Sequence, residues 1–252
     1  MTGSHAEETP FCRGRLSSAL KAVEGVGHAD ELDLVLAEIR QAYGFAHATL
    51  LVVRAGISPR PYPFFCTTYP SEWTATYLRK NYFEIDPVIA ISRTGFLPVD
   101  WYVLRGSSEK GKAFLSDARA FGVGRHGLTV PVRGANGERS LFSVTSDMSR
   151  SNWRRLRDSS ICELQVFSQY LHDKAVLISD LRASGAHDVL SRRERECLQL
   201  IARGEPPKRI AATLQISEGT VRLYLRLARR KLGARTLYQA IARASLLEVI
   251  DV

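Results

Sequence analysis

Ser191-Arg192-Arg193-Glu194, the apolar-periodic run to Gly204, Pro206-Pro207, Gln215-Ile216-Ser217 and an arginine-studded segment to Gly233 decide how this 252-residue chain is read. Ser191 and Glu194 have the spacing of a capping box, in which the hydroxyl accepts from the amide three residues on and the carboxylate accepts from the serine amide. A helix therefore starts there, carries Leu198 and Ile201 inward and stops at Gly204, which suits a left-handed cap. Pro206-Pro207 opens a second short helix, because proline is tolerated in the first turn; Ile210, Ala211 and Leu214 form its inner face. Gln215-Ile216 makes the turn. Ser217 caps a third helix that reaches Leu232 and is closed by Gly233. Thr236 to Gln239 repeats the capping-box spacing and opens a fourth helix ending near Leu247, with Ile241, Ala244 and Leu246 expected on its surface as a dimer contact. Two short helices, a tight turn and an arginine-rich third helix form the helix-turn-helix plan.

On the third helix, Val221, Leu225 and Ala228 recur at core spacing, continued by Leu232. Arg222 and Arg226 lie four apart, so one emerges above the other. Each guanidinium has the fork geometry that reads a guanine edge in the major groove. Arg229, Arg230 and Lys231 lie further along and suit phosphate contact. A solvated basic helix is the competing reading of the same residues. Capping, turn and charge together favour DNA.

The charge distribution agrees. Net charge is +9, but the segment from Leu190 onward holds 13 Lys/Arg against 6 Asp/Glu, whereas the preceding 189 residues hold 22 against 20. A nucleic-acid footprint is thus expected in the C-terminal part. Cys12, Cys66, Cys162 and Cys197 form no CxxC pair and no metal-ligand pattern, and read as reduced, mostly buried thiols. Residues 1–10 are polar, without the apolar stretch of a signal peptide, and no run approaches the length needed to span a bilayer. The expectation is a cytoplasmic protein with no membrane partner, no cofactor and no metal.

From the start, residues 1 to about 14 read as disordered, with short helices over 16–23 and 30–43; Leu32, Val35, Leu36 and Ile39 form the inner stripe of the second, which ends at Gly44. Strands are expected over 45–53 and 64–68, separated by a Pro- and Gly-rich loop. Helices follow over 71–82, 87–93 and 107–121. Residues 126–133 and 139–146 form a hairpin about Ala135-Asn136-Gly137, a strong turn signal. A long helix runs from Ser151 to Leu181, with Trp153, Leu156, Ser160, Leu164, Phe167, Leu171, Ala175 and Ile178 recurring every three to four residues. The result is an α+β chain: an α/β/α sandwich with an antiparallel sheet over 15–181, a polar linker over 182–189, and an all-α four-helix domain over 190–252.

Within the first domain Tyr69, Trp73, Tyr77, Tyr82, Asp86-Pro87 and Trp101 gather aromatic walls, N–H and O–H groups and one carboxylate, the composition of a small-molecule pocket. The same residues also make an ordinary aromatic core with Asp86 as a helix N-cap.

The runs L-S-R-R-E-R-E-C-L-Q-L-I-A-R-G and I-S-E-G-T-V-R-L-Y-L-R-L-A-R-R-K-L-G-A-R resemble the LuxR-type helix-turn-helix. Pro206-Pro207-Lys208-Arg209-Ile210 departs from it by placing Arg209 where the family has an acid. Trp73-x3-Tyr77-x8-Asp86-Pro87, Trp101 and Gly127 resemble the acyl-homoserine-lactone receptors of that family over roughly residues 30–175. The resemblance implies that Trp73 donates to a lactone carbonyl, Asp86 accepts from an amide N–H, Tyr69 holds the acyl carbonyl and Ser143 adds a polar contact, with Tyr77 and Trp101 packed around the ring and Gly127 kept small. It implies DNA contacts from Thr220, Arg222, Arg226, Arg229, Arg230 and Lys231, dimerisation partly through the long helix, and a quorum-sensing transcriptional regulator with RNA polymerase as a candidate partner. Three other readings stand beside it. A phospho-relay regulator could share the tail but needs an acidic cluster with a lysine; an enzyme acting on acyl signals needs a nucleophile beside a base, and neither Cys66 nor Cys162 has a nearby His in sequence. A receptor for a non-lactone ligand is the nearest alternative.

Overall fold

The computed structural model describes residues 10–55, 62–106, 108–134, 137–181 and 190–251. The linker over 182–189, most of the loop after Arg54 and the turn residues Ala135-Asn136 lie outside them. Two compact units result: one built on Tyr62–Arg133, Arg139–Ser179 and the chain before Arg54, the other on Asp180–Val252 with the short segments Arg54–Pro61 and Gly134–Glu138.

In the first unit helix α1 (Pro10–Gly25) is longer than the sequence suggests, and its start falls in the stretch read as disordered. Helix α2 (Leu32–Tyr43) buries Leu32, Val35, Leu36 and Ile39 and ends at Gly44, whose φ of 76° is the left-handed cap. Strands β1 (His47–Arg54), β2 (Phe64–Thr67), β3 (Val99–Asp100), β4 (His126–Arg133) and β5 (Arg139–Ser146) form an antiparallel sheet in the order β2-β1-β5-β4-β3. The β4–β5 hairpin keeps the expected bounds, pairing His126 with Ser146 and Arg133 with Arg139, and Gly137 takes a positive φ of 73°. Helix α3 (Ser71–Arg79) stops short of residue 82 and gives way to a 3-10 turn, Tyr82–Glu84. Helices α4 (Pro87–Thr94) and α5 (Glu109–Ala120) follow, then α6 (Arg150–Ile178), capped by Ser149. The sequence reading missed β3 and the 3-10 turn Trp101–Gly106 behind it.

The period of two along the strands separates two environments. Ala48 and Leu50 of β1, Cys66 of β2, Leu128 and Val130 of β4, and Phe142 and Val144 of β5 join one core with α1, α2 and α6. The residues in between, Thr49 and Leu51, Phe65 and Thr67, Leu141 and Ser143, line a chamber with side chains of α3, α4 and α5. Helices therefore cover both faces, as expected of the sandwich.

In the second unit α7 (Arg192–Ala202), α8 (Pro207–Leu214), α9 (Glu218–Lys231) and α10 (Leu237–Leu246) close on Leu198, Ile210, Val221, Leu225, Ala228 and Leu232. The Ser191–Glu194 capping box forms in both directions. At α10 the Thr236 hydroxyl accepts from the Gln239 amide, but the Gln239 side chain turns to the Arg235 amide, so the second box is incomplete. Ala244, expected on the surface of α10, is fully buried because it faces α7 and α9 in the four-helix core; Ile241 is partly covered, and Tyr238 and Leu246 are exposed. Cys66 and Cys197 are buried as expected. Cys162 is exposed on α6. No helix among the described residues is long and apolar enough to cross a membrane.

Candidate functional site: a polar-lined chamber and an arginine-bearing helix

The chamber is partly open to solvent, and Tyr69, Trp73, Tyr77, Asp86, Trp101 and Ser143 all line it. Trp73 and Tyr77 sit one turn apart on α3 and pack edge-on at 5.9 Å; Trp73 also meets Tyr82, Phe114 and Phe121 at 5.6 Å each. The Trp73 indole is 2% exposed. Neither its N–H nor the Tyr69 hydroxyl has a hydrogen-bond partner among the described residues, so both are available to an occupant.

Asp86 serves two ends. Its Oδ1 accepts from the Val88 amide at 2.8 Å, which caps α4, and its Oδ2 accepts from the Tyr77 hydroxyl at 2.8 Å. Burial pushes its carboxyl up to about 6, against the pull of the Val88 and Tyr77 hydrogen bonds. Burial and the Asp86 charge together push the Tyr69 and Tyr77 phenols above their usual range, which leaves them neutral donors. The N-cap and the pocket readings of Asp86 are thus both satisfied by one side chain.

Trp101 reaches the chamber from the 3-10 turn and donates its indole N–H to the Thr129 hydroxyl at 2.8 Å; Thr129 lies 2.8 Å from the Ser143 hydroxyl. An indole only donates, so Thr129 accepts from Trp101, and either hydroxyl of the Thr129–Ser143 pair can donate to the other. A Cβ on Gly127 would lie 2.3 Å from the Trp101 ring, which is why the residue under that indole has none. Thr129 escaped the sequence reading because a threonine in a strand has no signature until the facing indole is known. Thr49, Leu51, Phe65, Thr67 and Leu141 escaped because both faces of the sheet are covered and alternation is faint.

One nucleophile–base contact emerges that the sequence did not show. Ser140 Oγ and His172 Nδ1 are 2.7 Å apart, joining β5 to α6. Both are almost fully buried and neither lines the chamber.

In the second unit α9 presents Arg222, Arg226, Arg229 and Arg230 to solvent and buries Val221, Leu225 and Ala228. Ser217 caps the helix by accepting from the Thr220 amide at 3.1 Å, and its hydroxyl lies 2.8 Å from that of Thr220. Arg222 pairs with Glu218 at 3.4 Å, and Arg229 donates to the Arg235 carbonyl at 3.5 Å. Arg226 and Arg230 have no partner among the described residues. Arg209 faces Glu205 at 3.3 Å, which offsets part of its added charge. Lys231 differs from the arginines: its ammonium lies 2.8 Å from the buried Glu194 carboxylate.

Residues 28–175 match the autoinducer binding domain, and residues 188–244 match the bacterial regulatory proteins of the luxR family. The chain belongs to the LuxR family. The transcriptional activator protein RaiR of Rhizobium etli is 47% identical over 174 residues, 69% of this chain and 72% of that protein. The quorum-sensing regulator RhlR of Pseudomonas aeruginosa is 31% identical over 188 residues, covering 73% and 74%. The crystal structure of Escherichia coli SdiA shares the fold, with a TM-score of 0.69 over 95% of this chain and 99% of that one at 23% identity. This LuxR-family protein is thus an autoinducer-binding, DNA-binding transcriptional regulator of the quorum-sensing type. The chamber falls within the autoinducer binding domain, and α9 within the LuxR-type segment.

Proposed function

We propose that the chamber binds an N-acyl-homoserine lactone and that the occupied protein, as a cytoplasmic homodimer, binds a two-fold promoter site and recruits RNA polymerase to activate transcription. The observation that carries this reading is the set of polar groups, Trp73, Tyr69 and Asp86 from the helical side and Ser143 from the sheet, facing one largely apolar cavity. The Trp73 N–H meets the lactone carbonyl, the Asp86 carboxylate accepts from the amide N–H, the Tyr69 hydroxyl holds the acyl carbonyl, and Ser143 adds a polar contact. Tyr77 fixes Asp86 and Trp101 closes the ring end. The acyl chain runs among Leu51, Phe65, Val88, Ile89 and Leu141, where each buried methylene contributes about 0.8 kcal/mol. A buried hydrogen bond to a charged group adds roughly 1.5–3 kcal/mol. The protein binds this signal without turning it over.

The relatives support the reading: RaiR is named a transcriptional activator, and CepR2 of Burkholderia cenocepacia, whose structure is solved, is described as N-acylhomoserine lactone dependent. Dimerisation is supported by α6, which leaves Cys162, Val166, Tyr170 and Leu177 exposed at helical spacing along one stripe. Base contacts are assigned to Arg222 and Arg226, and phosphate contacts to Thr220, Arg229 and Arg230. Half-sites about one helical turn apart follow for a two-fold helix-turn-helix dimer.

A second reading rests on SdiA, one of whose structures is a complex with octanoyl-rac-glycerol. A glycerol headgroup offers hydroxyls and an ester carbonyl to the same polar groups but no amide N–H for Asp86. Expression with a panel of acyl-homoserine lactones and monoacylglycerols, followed by extraction and mass spectrometry, separates the two. A lactone retained in equimolar amount, with a raised Tm, is expected; retention of the acylglycerol alone moves the assignment to the second reading, and retention of neither refutes both.

A further inference from the structure

Arg222, Arg226, Arg229, Arg230 and Lys231 are the cations of α9, and one of them is committed elsewhere. Lys231 is the last residue of α9, and its ammonium donates at 2.8 Å to Oε2 of Glu194, the same oxygen that accepts from the Ser191 amide at 2.7 Å. The Glu194 side chain is only 4% exposed, whereas that of Lys231 is 41% exposed. The capping carboxylate at the start of α7 is therefore held simultaneously by its own N-cap and by the far end of α9. Burial pushes the Glu194 carboxyl up, but Lys231 and Ser191 outweigh it and hold it below the usual carboxylate range.

Helical geometry separates Lys231 from the readers. At about 100° per residue, Lys231 lies roughly 180° around the helix from Arg222 and roughly 140° from Arg226. Arg230 comes within roughly 80° of Arg222 and 40° of Arg226 by the same count. The buried pattern of Val221, Leu225, Ala228 and Leu232 fixes the rotation of α9 in the domain, with Arg226 and Arg230 turned away from the core and Arg222 and Lys231 on opposite flanks of it.

We infer that Lys231 is a positioning residue for DNA recognition and not a phosphate contact: with Glu194 it ties the C-terminal end of the arginine-bearing helix to the N-terminus of α7 and so sets how that helix is presented. This rests on α9 being the reading helix. It also moves Lys231 out of the phosphate-contacting set that the sequence suggested, into the frame behind it.

The salt dependence of DNA binding separates the two roles. Each phosphate neutralised contributes about −0.9 to the slope of log K against log salt. A salt series would be run with the full-length, ligand-bound protein on two duplexes, one enriched by this protein from a random-sequence pool and one of mixed sequence. Lys231→Met should weaken the enriched duplex by roughly tenfold or more, because Glu194 is left buried without its cation, yet keep the wild-type slope. Arg230→Ala should make the slope shallower by about 0.9. Glu194→Gln should also weaken the enriched duplex, although loss of a negative charge by itself favours DNA. Glu194→Gln with Lys231→Met leaves no unpaired buried charge, so this double variant folds; it should regain part of the affinity at an unchanged slope. A slope made shallower by about 0.9 in the Lys231→Met and double variants, or tighter binding by Glu194→Gln, overturns the inference. Arg226→Ala is the control: if it leaves the enriched duplex fully bound, α9 is not the reader and the proposed DNA contacts fall with it.

Discussion

Around Trp73 and Asp86 the first unit holds a chamber whose wall includes an indole N–H and a phenol with no partner among the described residues, whereas in the second unit Leu198, Ile210, Val221 and Ala228 are fully buried against one another and the buried carboxylate of Glu194 has two donors. Both units bury a carboxylate, but in opposite states. Asp86 is pushed up to about 6 by burial with no cation beside it, while Lys231 holds Glu194 down. An unfilled cavity and unpaired polar groups each cost stability in a domain whose total is about 5–15 kcal/mol. The first unit is therefore the one whose stability an occupant can change, by about 2.7 kcal/mol at a hundredfold excess over Kd. The second is already closed and offers a fixed surface. A sensor and a reader differ here in how completely each satisfies its own interior.

The sharpest way to break that contrast is Gly127→Val. Its branched side chain meets the Trp101 ring, so it overpacks the site and separates Trp101 from Thr129. Together these should cost roughly 2–6 kcal/mol. Soluble yield should fall steeply and signal should not rescue it, while isothermal titration of any recovered protein shows no binding. A variant that still binds signal like the parent would mean that the indole is free to move.

The effect of pH is smaller and tests Asp86 directly. Its carboxyl in the empty chamber titrates above its ordinary value, so protonation stabilises the folded protein; that contribution is full below the ordinary range and is lost as pH rises through about 6. A ligand amide selects the ionised form. Affinity should therefore climb about tenfold from pH 5 to a plateau above 7, the ratio of ionised fractions for a group near 6, with proton uptake by buffer seen calorimetrically. Asp86→Asn should flatten the profile and weaken binding by roughly 10- to 100-fold. A pH profile that survives the substitution assigns the titration to another group.

Ser191→Ala should give the smallest change. Removing the N-cap hydroxyl costs about 1 kcal/mol, read as faster amide exchange in the first turn of α7, with signal affinity unchanged. Altered signal affinity would show that the two units are not energetically separate.

The parts of this protein most legible in sequence are those with local causes. The Ser191–Glu194 box, the Gly44 and Gly233 termini and the β4–β5 hairpin are set by residues within a few positions of one another, and each forms where expected. The chamber was legible as a cluster of residue types, because Trp73, Tyr77 and Asp86 follow one another closely along α3 and α4. Its opposite wall was not, since Thr49, Phe65 and Leu141 arrive from three strands. Ala244 was misplaced because a small residue fits a surface or a tight helix crossing equally well, and only the four-helix core selects the crossing.

Sequence by itself determined the two-part plan, the hairpin, the caps and the rotation of α9 that turns its arginines outward, because periodicity and turn chemistry act over a few residues. Tertiary structure alone decided that Trp101 lies on Gly127 and donates its N–H to Thr129, that Asp86 both caps a helix and faces the chamber, and that Lys231 spends its charge on Glu194 and not on the outer face. Those pairings join groups far apart in the chain, and only the packing of helices on a sheet, or on one another, fixes which donor meets which acceptor.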